Sequence, residues 1–339
     1  MENNLVDEKT IADSISLEIM TSGVKLPPLP TNGAKLLEMA QQPMNKIDIA
    51  SFTKLVEMDP GLFASVLQLA NSPYYSGVGG IISLRAAITR IGLTETLNSI
   101  CMYFFQKMLP KVPAIEGFSS KEHWAYSWAC GMANRRLGHP NLEMGVLPGE
   151  LYIAGLLHGM GKLLIAIHYP DKFSKCVIMA RDLEQPLYKM EQDVFGTTDA
   201  FVASKIMEAW HLPANICAGV AFHQMPESAP DEYKEIAGLT QFAYYIASMS
   251  GIGSNGDGLL MDLSSTYICQ QSDLQISQEE IREKLIREIL KSLEEKSKSV
   301  TGMSPISQTK SPEIEDVGGK RSSVKKGLFA RIRSLLGGS

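Results

Sequence analysis

The amino-acid sequence predicts an all-α fold. Apolar residues recur at three- and four-residue spacing through most of the chain between residues 31 and 249, as they do on the buried face of a helix. Runs of alternating Val, Ile and Thr, which mark strands, are almost absent. Pro and Gly cluster in short segments between the apolar stretches, where they end helices and form turns. With 339 residues, 45% of them hydrophobic, the chain can bury a substantial core.

The first predicted helices have clear boundaries. Apolar spacing predicts amphipathic helices over Thr31 to Ala40 and over Ile47 to Met58. Asp59 and Pro60 follow, and they supply an N-cap acceptor and the residue that best tolerates the first helical position. The helix that they open is expected to stop near Asn71 to Pro73.

Apolar spacing predicts a longer series of helices after this point. They cover Ser83 to Arg90, Leu93 to Leu109, Ser120 to Leu137, Glu150 to Ile167, Lys172 to Leu183, Thr198 to Trp210, Ala214 to Phe222 and Glu232 to Met249. A hinge near Pro110 to Phe118 would divide a lobe at about 24–112 from one at 113–250, and we expect both to fold as one unit. Residues 1–23 are interpreted as an N-terminal extension.

The composition changes after residue 250. Residues 251–297 read as a loop followed by a charged helix over Ser277 to Ser297, whose apolar residues form one narrow stripe that needs a partner. That stripe consists of Ile281, Leu285, Ile289 and Leu293. Residues 298–323 are rich in Ser, Pro, Lys, Glu and Gly, a composition that predicts a disordered linker.

A basic amphipathic helix is predicted over residues 324–337. Its sequence can place apolar and basic side chains on different faces, as in helices that bind anionic lipid or a partner's groove. The candidate contacts with a partner or a membrane are Lys325, Lys326, Leu328, Phe329, Arg331, Ile332, Arg333 and Leu335. A frayed, solvated terminus is the alternative. Nucleic acid is not expected, because the arm lacks an aromatic series for base stacking and the whole chain has a net charge of -5.

The sequence predicts a cytoplasmic protein, with attachment to a membrane surface through the C-terminal helix as an alternative. The first thirty residues lack the pattern of an export signal. Apolar stretches such as Leu151 to Leu157 are shorter than the roughly 20 residues that span a membrane. The five cysteines are odd in number and form no C-x-x-C pair, so we interpret them as reduced thiols.

The stretch LYIAGLLHGMGKLL at residues 151–164 places His158 within an apolar helix, where a single His is usually a core residue. Its neighbours change this interpretation. They are LPPLP (26–30), LANSPYY (69–75), ISLRAAITRIG (82–92), HWAYSWACG (123–131), WHLP (210–213) and FHQMP (222–226). From about Val24 to Met249 this ordered set resembles the HDOD family, a bacterial branch of the HD phosphohydrolase superfamily. The resemblance implies an HD-domain-like helical bundle with an additional N-terminal helical lobe, and a regulatory or signalling role.

The resemblance also implies a set of metal ligands, and this sequence lacks most of it. HD enzymes hold their metal ions with a His, an adjacent His-Asp pair and a distant Asp. His158 matches the His of the pair, but Gly159 stands where its Asp would be, and Tyr126 matches the upstream His. The distant Asp would fall within residues 241–245, which contain no carboxylate. One remaining ligand is too few to hold a labile cation, so we predict no metal, no cofactor and no catalytic residue.

Three functions follow as hypotheses. The first is a non-enzymatic signalling protein that binds a protein partner or a small signal on a degenerate HD scaffold. A metal-dependent phosphohydrolase of the cyclic nucleotide phosphodiesterase type is the alternative, and a shifted metal site of His123, His158 and His223 would favour it. A membrane-peripheral adaptor is the second alternative. Gly159, Gly161 and Lys162 do not match a Walker-type phosphate loop, and close helix packing explains the glycines better.

Overall fold

The computed structural model describes residues 2–21, 29–75, 77, 79–138, 145–260, 262–271, 276 and 278–302. Within this part of the chain the regular structure consists of fifteen α-helices and a few short 3-10 turns, with no strand. Its β-type pairing is a single bridge between Ile115 and Phe118. The predicted all-α class is therefore confirmed.

The first six helices form the N-terminal region. They are α1 (Glu2–Thr21), α2 (Thr31–Gln41), α3 (Ile49–Glu57), α4 (Pro60–Ala70), α5 (Leu84–Ile91) and α6 (Leu93–Met108). The predicted start of α4 is confirmed, since the Asp59 carboxylate accepts hydrogen bonds from the backbone N–H groups of Gly61 and Leu62. Ser83 caps α5 in the same way through the N–H of Ala86.

The remaining helices build the part of the molecule that surrounds His158. They are α7 (Ser120–Leu137), α8 (Pro148–Leu157), α9 (Met160–His168), α10 (Pro170–Asp182), α11 (Leu187–Phe195), α12 (Asp199–Ala209), α13 (Ala214–Phe222), α14 (Lys234–Ser250) and α15 (Glu279–Thr301). Helices α7 and α8 pack most extensively, and a Cβ atom added to Gly155 of α8 would lie 2.8 Å from the Cα of Gly131 in α7. Helices α13 and α14 flank this pair.

The prediction of one helix over Glu150 to Ile167 was wrong in its continuity. The chain forms two helices, α8 and α9, which meet at His158 and Gly159. The apolar pattern continues across this junction because both helices are almost completely buried. The apolar periodicity therefore indicates that the two helices are buried, but it does not indicate the break between them.

Two helices were absent from the sequence prediction. Helix α1 falls in the predicted N-terminal extension and packs against α12, where it buries Ala12 and Ile19. Its Ser16 hydroxyl also lies 3.3 Å from the carbonyl oxygen of Val202. The second missed helix is α11, which contributes the buried Glu191 to the region described below.

Helices α7 and α14 are the partners that the apolar stripe of α15 requires. Helix α15 packs on both, and this contact buries Leu285, Ile289 and Leu293. The helix ends at Thr301, so it includes residues 298–301, which the prediction assigned to the linker. The rest of the predicted linker and the predicted basic helix at 324–337, with all of its candidate contact residues, lie outside the described residues.

One described stretch, Pro148–His168, is long and apolar enough to cross a membrane by length and composition, although the sequence analysis took its apolar run as too short. It comprises α8, the junction and α9, and 89% of it is buried inside the protein. This burial is what a core helix pair of a folded domain shows. A single continuous apolar core includes residues of both predicted lobes, from Leu36 in α2 to Leu151 in α8.

Candidate functional site

Three histidines and two tyrosines meet at the junction of α8 and α9. The His158 ring centroid lies 6.5 Å from that of His123 in α7 and 5.3 Å from that of His223, which follows α13. Tyr126 in α7 and Tyr244 in α14 complete the cluster, at 5.7 and 5.4 Å from the His158 ring. All three histidines are buried. The structure thus brings together the residues that the sequence analysis considered for a metal site.

Two of the histidine rings are held by backbone carbonyl groups. His158 Nδ1 lies 2.6 Å from the carbonyl oxygen of Gly155, and His223 Nδ1 lies 2.7 Å from that of Val220. Because a carbonyl can only accept, each Nδ1 carries the proton and each neutral ring leaves a lone pair on Nε2. Neither Nε2 has a hydrogen-bond partner among the residues described. The same orientation is common in metal-binding histidines.

Gly159 is the position where an HD enzyme would carry its carboxylate, and here another side chain takes the space. A Cβ atom on residue 159 would lie 2.5 Å from His123 Cε1 and 2.8 Å from His123 Nε2. Real Cβ atoms do not approach other atoms so closely, so an aspartate at this position would displace the His123 ring. His123 therefore packs in the space that a carboxylate at residue 159 would need.

The two tyrosines lie at or near the other two positions that the resemblance assigns to metal ligands. Tyr126 donates a hydrogen bond from its hydroxyl to the Tyr244 carbonyl oxygen at 2.7 Å, and the hydroxyl of Ser248 lies 2.8 Å away. Tyr244 lies within residues 241–245, where the distant carboxylate would be expected, and its ring contacts His158 and His223. Tyr244 was not among the predicted site residues, since an aromatic residue in a helix usually belongs to the core.

A buried lysine adds a positive charge beside the rings. Lys162 in α9 is 2% exposed, and its Nζ lies 5.7 Å from the centroid of the Tyr244 ring. Burial alone would lower the pKa of Lys162, but the carboxylates of Asp199, Glu191 and Asp257 outweigh it and raise the pKa. The ammonium group is therefore charged at neutral pH. Nothing in the sequence indicated this role for Lys162, because the residue follows two glycines that do not form a phosphate loop.

The main counter-charges of Lys162 come from two carboxylates on neighbouring elements. Asp199 begins α12, and its backbone N–H donates to Glu191 Oε2 at 2.9 Å. Gln224 Nε2 donates to Asp199 Oδ1 at 3.2 Å. Burial, and next the Asp199 carboxylate, raise the pKa of Glu191 well above its usual range. This pair was missed because neither residue lies near His158 in the sequence.

Close packing of α9 on α12 places these charges together. A Cβ atom on Gly161 would lie 1.9 Å from the backbone carbonyl oxygen of Asp199, so any side chain there would push the two helices apart. The interpretation of this glycine as a packing residue is therefore confirmed. Its neighbour Lys162 then lies close enough to Asp199 for the carboxylate to raise its pKa.

The three histidines are neutral at physiological pH. Burial lowers the pKa of His123 to about 3 and that of His223 to about 4. The pKa of His158 is lowered well below its usual value, first by burial and then by the neighbouring His223 and Lys162. Neutral rings expose Nε2 or Nδ1 lone pairs, which are the donors that a metal ion would use.

These residues do not fit the metal ion that an HD enzyme would hold. His158 and His223 have oriented nitrogen donors, but the Lys162 ammonium adds a positive charge beside them, and the carboxylate expected at residue 159 is replaced by His123. Within the described part of the chain, no three His, Cys, Asp or Glu side chains are arranged to hold a metal ion. The shifted site of His123, His158 and His223 therefore has the residues in proximity without a ligating geometry.

A small cavity opens beside the cluster. Its volume is about 20 Å³, and His223, Gln224, Tyr244 and Asp257 are among the side chains that line it. A buried water needs at least roughly 10–15 Å³, so the cavity has room for about one. A nucleotide would not fit without movement of the tyrosines.

Comparison with known proteins identifies the fold. The HDOD domain family profile matches residues 26–226. An HDOD domain protein of unknown function from Geobacter sulfurreducens superimposes with a TM-score of 0.67 at 23% identity, over 85% of this chain and 98% of that one. A protein from Marinobacter aquaeolei VT8, provisionally named a signal transduction protein, superimposes with a TM-score of 0.65 at 22% identity, over 87% of this chain and 65% of that one. A protein from Shewanella amazonensis SB2B, provisionally named a phosphohydrolase, superimposes with a TM-score of 0.59 at 20% identity, over 85% of this chain and 97% of that one.

A sequence relative is longer than this chain. An uncharacterized protein of Treponema pallidum (strain Nichols) is 22% identical over 249 residues, which cover 70% of this chain and 48% of the relative. The match thus spans about half the length of the relative. These similarities show the fold, and what the site does must be argued from its own residues.

Proposed function

The chain belongs to the HDOD domain family, and on that premise we propose that it is a non-enzymatic signalling protein that acts by binding a protein partner. The observation that supports this proposal is the packing around His158. His123 occupies the space beside Gly159, and the rings of Tyr126 and Tyr244 lie against His158. The resemblance assigns residues 126, 159 and 241–245 to metal ligands, and in this chain side chains without a carboxylate pack there.

Hydrolysis of a phosphate ester at an HD centre needs a cation that activates water and neutralises charge on the phosphate. In this chain the positive charge beside His158 belongs to Lys162, whose pKa the carboxylates of Asp199 and Glu191 raise. An ammonium group cannot lower the pKa of a bound water as a divalent metal does. This chemistry favours binding over catalysis.

The size of the cavity favours a protein partner over a small signal at this site. The space beside His223 and Tyr244 has room for about one water. Binding of a nucleotide there would require the tyrosine rings to move out of a buried cluster. A protein partner, in contrast, can use the outer surface of the bundle without opening it. The provisional name of the Marinobacter protein agrees with a signalling role, and that of the Shewanella protein with the alternative of a phosphohydrolase.

Metal content and turnover of the purified full chain test this proposal. The protein would be incubated with Mn²⁺, Fe²⁺ or Ni²⁺, desalted, and measured by elemental analysis and by phosphodiesterase assay with a chromogenic diester and with cyclic dinucleotides. We expect metal far below one equivalent and no turnover above that of a His158→Ala variant. Stoichiometric metal together with turnover that His158→Ala abolishes would overturn the proposal and establish the phosphohydrolase.

A further inference from the structure

A groove lies where the end of α15 meets α6 and the start of α7. Its volume is about 410 Å³. The apolar part of its lining includes Leu109, Val112, Trp124 and Val300, and Trp124 is partly exposed there. The groove is far larger than the cavity beside His223. It is therefore an open surface feature that can accept side chains of a peptide.

The charge of this groove is positive. Lys111 and Lys121 line it, both are exposed, and no carboxylate is among its described lining residues. Neither lysine forms an ion pair with any other residue that the structure describes. Helix α7 begins at Ser120 in the same lining, so the positive end of its dipole adds to the lysines. The surface thus suits a segment with acidic and apolar side chains.

The chain itself carries such a segment a short distance along the sequence from the groove lining. Val300 and Thr301 line the groove, and the described chain ends one residue later, at Gly302. The sequence continues with residues 303–339. Its part at 312–317 reads Pro-Glu-Ile-Glu-Asp-Val, with three acidic and two apolar residues and no basic one. The basic arm at 324–337 has the wrong charge for a surface that carries Lys111 and Lys121.

We propose that residues 312–317 dock in the groove formed by α6, α7 and the end of α15. Glu313, Glu315 and Asp316 would pair with Lys111 and Lys121, and Ile314 or Val317 would contact the apolar lining. The connecting residues 303–311 span up to about 30 Å when extended, at roughly 3.3–3.6 Å per residue. Since the tether starts within the groove wall, the segment can reach every part of the lining.

Tethering makes a weak contact effective. A short flexible linker gives an effective concentration in the millimolar range, so a peptide with a dissociation constant near 0.2 mM would occupy its site most of the time. Exposed ion pairs alone contribute little. Because two lysines act together with apolar contacts at Trp124, the contact is expected to weaken, without being lost, as ionic strength rises.

The contact specifies which kind of partner the proposed signalling protein would bind and how that binding would be regulated. An acidic, partly apolar peptide of another protein would compete with residues 312–317 for the same groove. In this regulatory meaning the inference rests on the proposed function, whereas the docking itself does not depend on whether the chain is an enzyme.

Hydrogen exchange in the full-length chain tests the docking. Four forms would be compared: the natural chain, Lys111→Glu/Lys121→Glu, Glu313→Lys/Glu315→Lys/Asp316→Lys, and the combination of all five changes. The backbone amides of Ser120 and Lys121, at the start of α7, have no carbonyl partner within the helix and report cover directly. We expect exchange there to be about fivefold faster in each charge-reversed form, as mass action on a tethered ligand predicts. The combined form should recover most of the protection.

Two controls make the result decisive. Lys46→Glu/Lys54→Glu reverses two exposed lysines that do not line the groove, and it should leave exchange in α7 unchanged. A synthetic peptide of residues 310–319 should restore protection when it is added to the Glu313→Lys/Glu315→Lys/Asp316→Lys form. Equal exchange in all four forms would overturn the docking. A peptide of different sequence that protects α7 in the Glu313→Lys/Glu315→Lys/Asp316→Lys form when the peptide of residues 310–319 does not would overturn it as well. Neither outcome would alter the metal and turnover results on which the proposed function depends.

Discussion

The imidazole of His123 lies against Gly159 so closely that a Cβ atom on residue 159 would stand 2.5 Å from its Cε1 atom. The two residues are therefore coupled: the absence of a side chain at 159 is what allows His123 to pack there. Gly159 is thus a packing position of the buried core. The coupling can be measured directly.

Gly159→Ala is expected to destabilise the natural chain by about 1–3 kcal/mol, as overpacking of a buried site does. The same change in a His123→Ala background should cost much less, because the clashing ring is gone. Urea unfolding of the four forms gives the coupling free energy. Gly80→Ala is the matched control, since nothing lies within 4 Å of a Cβ atom there. Equal costs of Gly159→Ala in both backgrounds would contradict the packing described.

Lys162→Met is expected to lower the free energy of unfolding by about 1–3 kcal/mol, because it removes the positive charge that faces the buried Asp199 carboxylate. Adding Asp199→Asn should recover part of this loss, because Asp199 is the carboxylate that most strongly raises the pKa of Lys162. Lys205→Met serves as the control, since Lys205 pairs with Asp13 and Glu208 in a partly exposed position, where ion pairs contribute roughly 0–1 kcal/mol. A cost for Lys162→Met no larger than that of the control would contradict the role given to Lys162.

Stability should fall as the pH drops from about 6.5 toward 4. The pKa values of His123, His158 and His223 are lowered in the folded protein, so between these pH values the unfolded chain binds more protons. The stability that the three neutral histidines contribute is fully present above their usual pKa of about 6.5. It is lost as the pH falls toward the folded values, which are about 3 for His123 and about 4 for His223. Glu191 acts in the opposite sense, because its pKa is raised.

The free energy of unfolding should therefore change with pH by about 2–3 kcal/mol per pH unit near pH 5, which corresponds to roughly two protons. His223→Asn is expected to reduce this slope by about 1.4 kcal/mol per pH unit. His211→Asn, at an exposed position, provides the comparison. Chemical denaturation at pH 5 and pH 7 measures this slope in the two variants and in the natural chain. An unchanged slope in His223→Asn would show that His223 is already protonated in the folded protein.

The basic arm at residues 324–337 makes a separate prediction from its sequence. Each basic residue near an anionic surface adds about 1 kcal/mol to membrane binding. The full chain should therefore sediment with vesicles that contain anionic lipid more than a variant with Lys325, Lys326, Arg331 and Arg333 changed to Glu. Vesicles of neutral lipid are the control. Equal sedimentation of both forms would exclude a membrane role for these residues.

Local sequence determined most of the helices of this protein. Helix α7 was predicted with its observed ends, and the start of α4 followed from Asp59 and Pro60. Such features depend on contacts within a few residues, which periodicity and capping chemistry report. The break between α8 and α9 and the helices α1 and α11 were missed. Burial of both α8 and α9 hides the break from any apolar pattern.

The sequence by itself also determined that residue 159 has no side chain and that residues 241–245 contain no carboxylate, so neither can supply the oxygen ligand that the resemblance implies. Only the tertiary structure decided which side chains pack around His158. His123, Lys162, Glu191, Asp199 and Tyr244 come from five different helices and meet through the packing of α7, α9, α11, α12 and α14. No spacing along the chain encodes that meeting, since it depends on how buried helices cross.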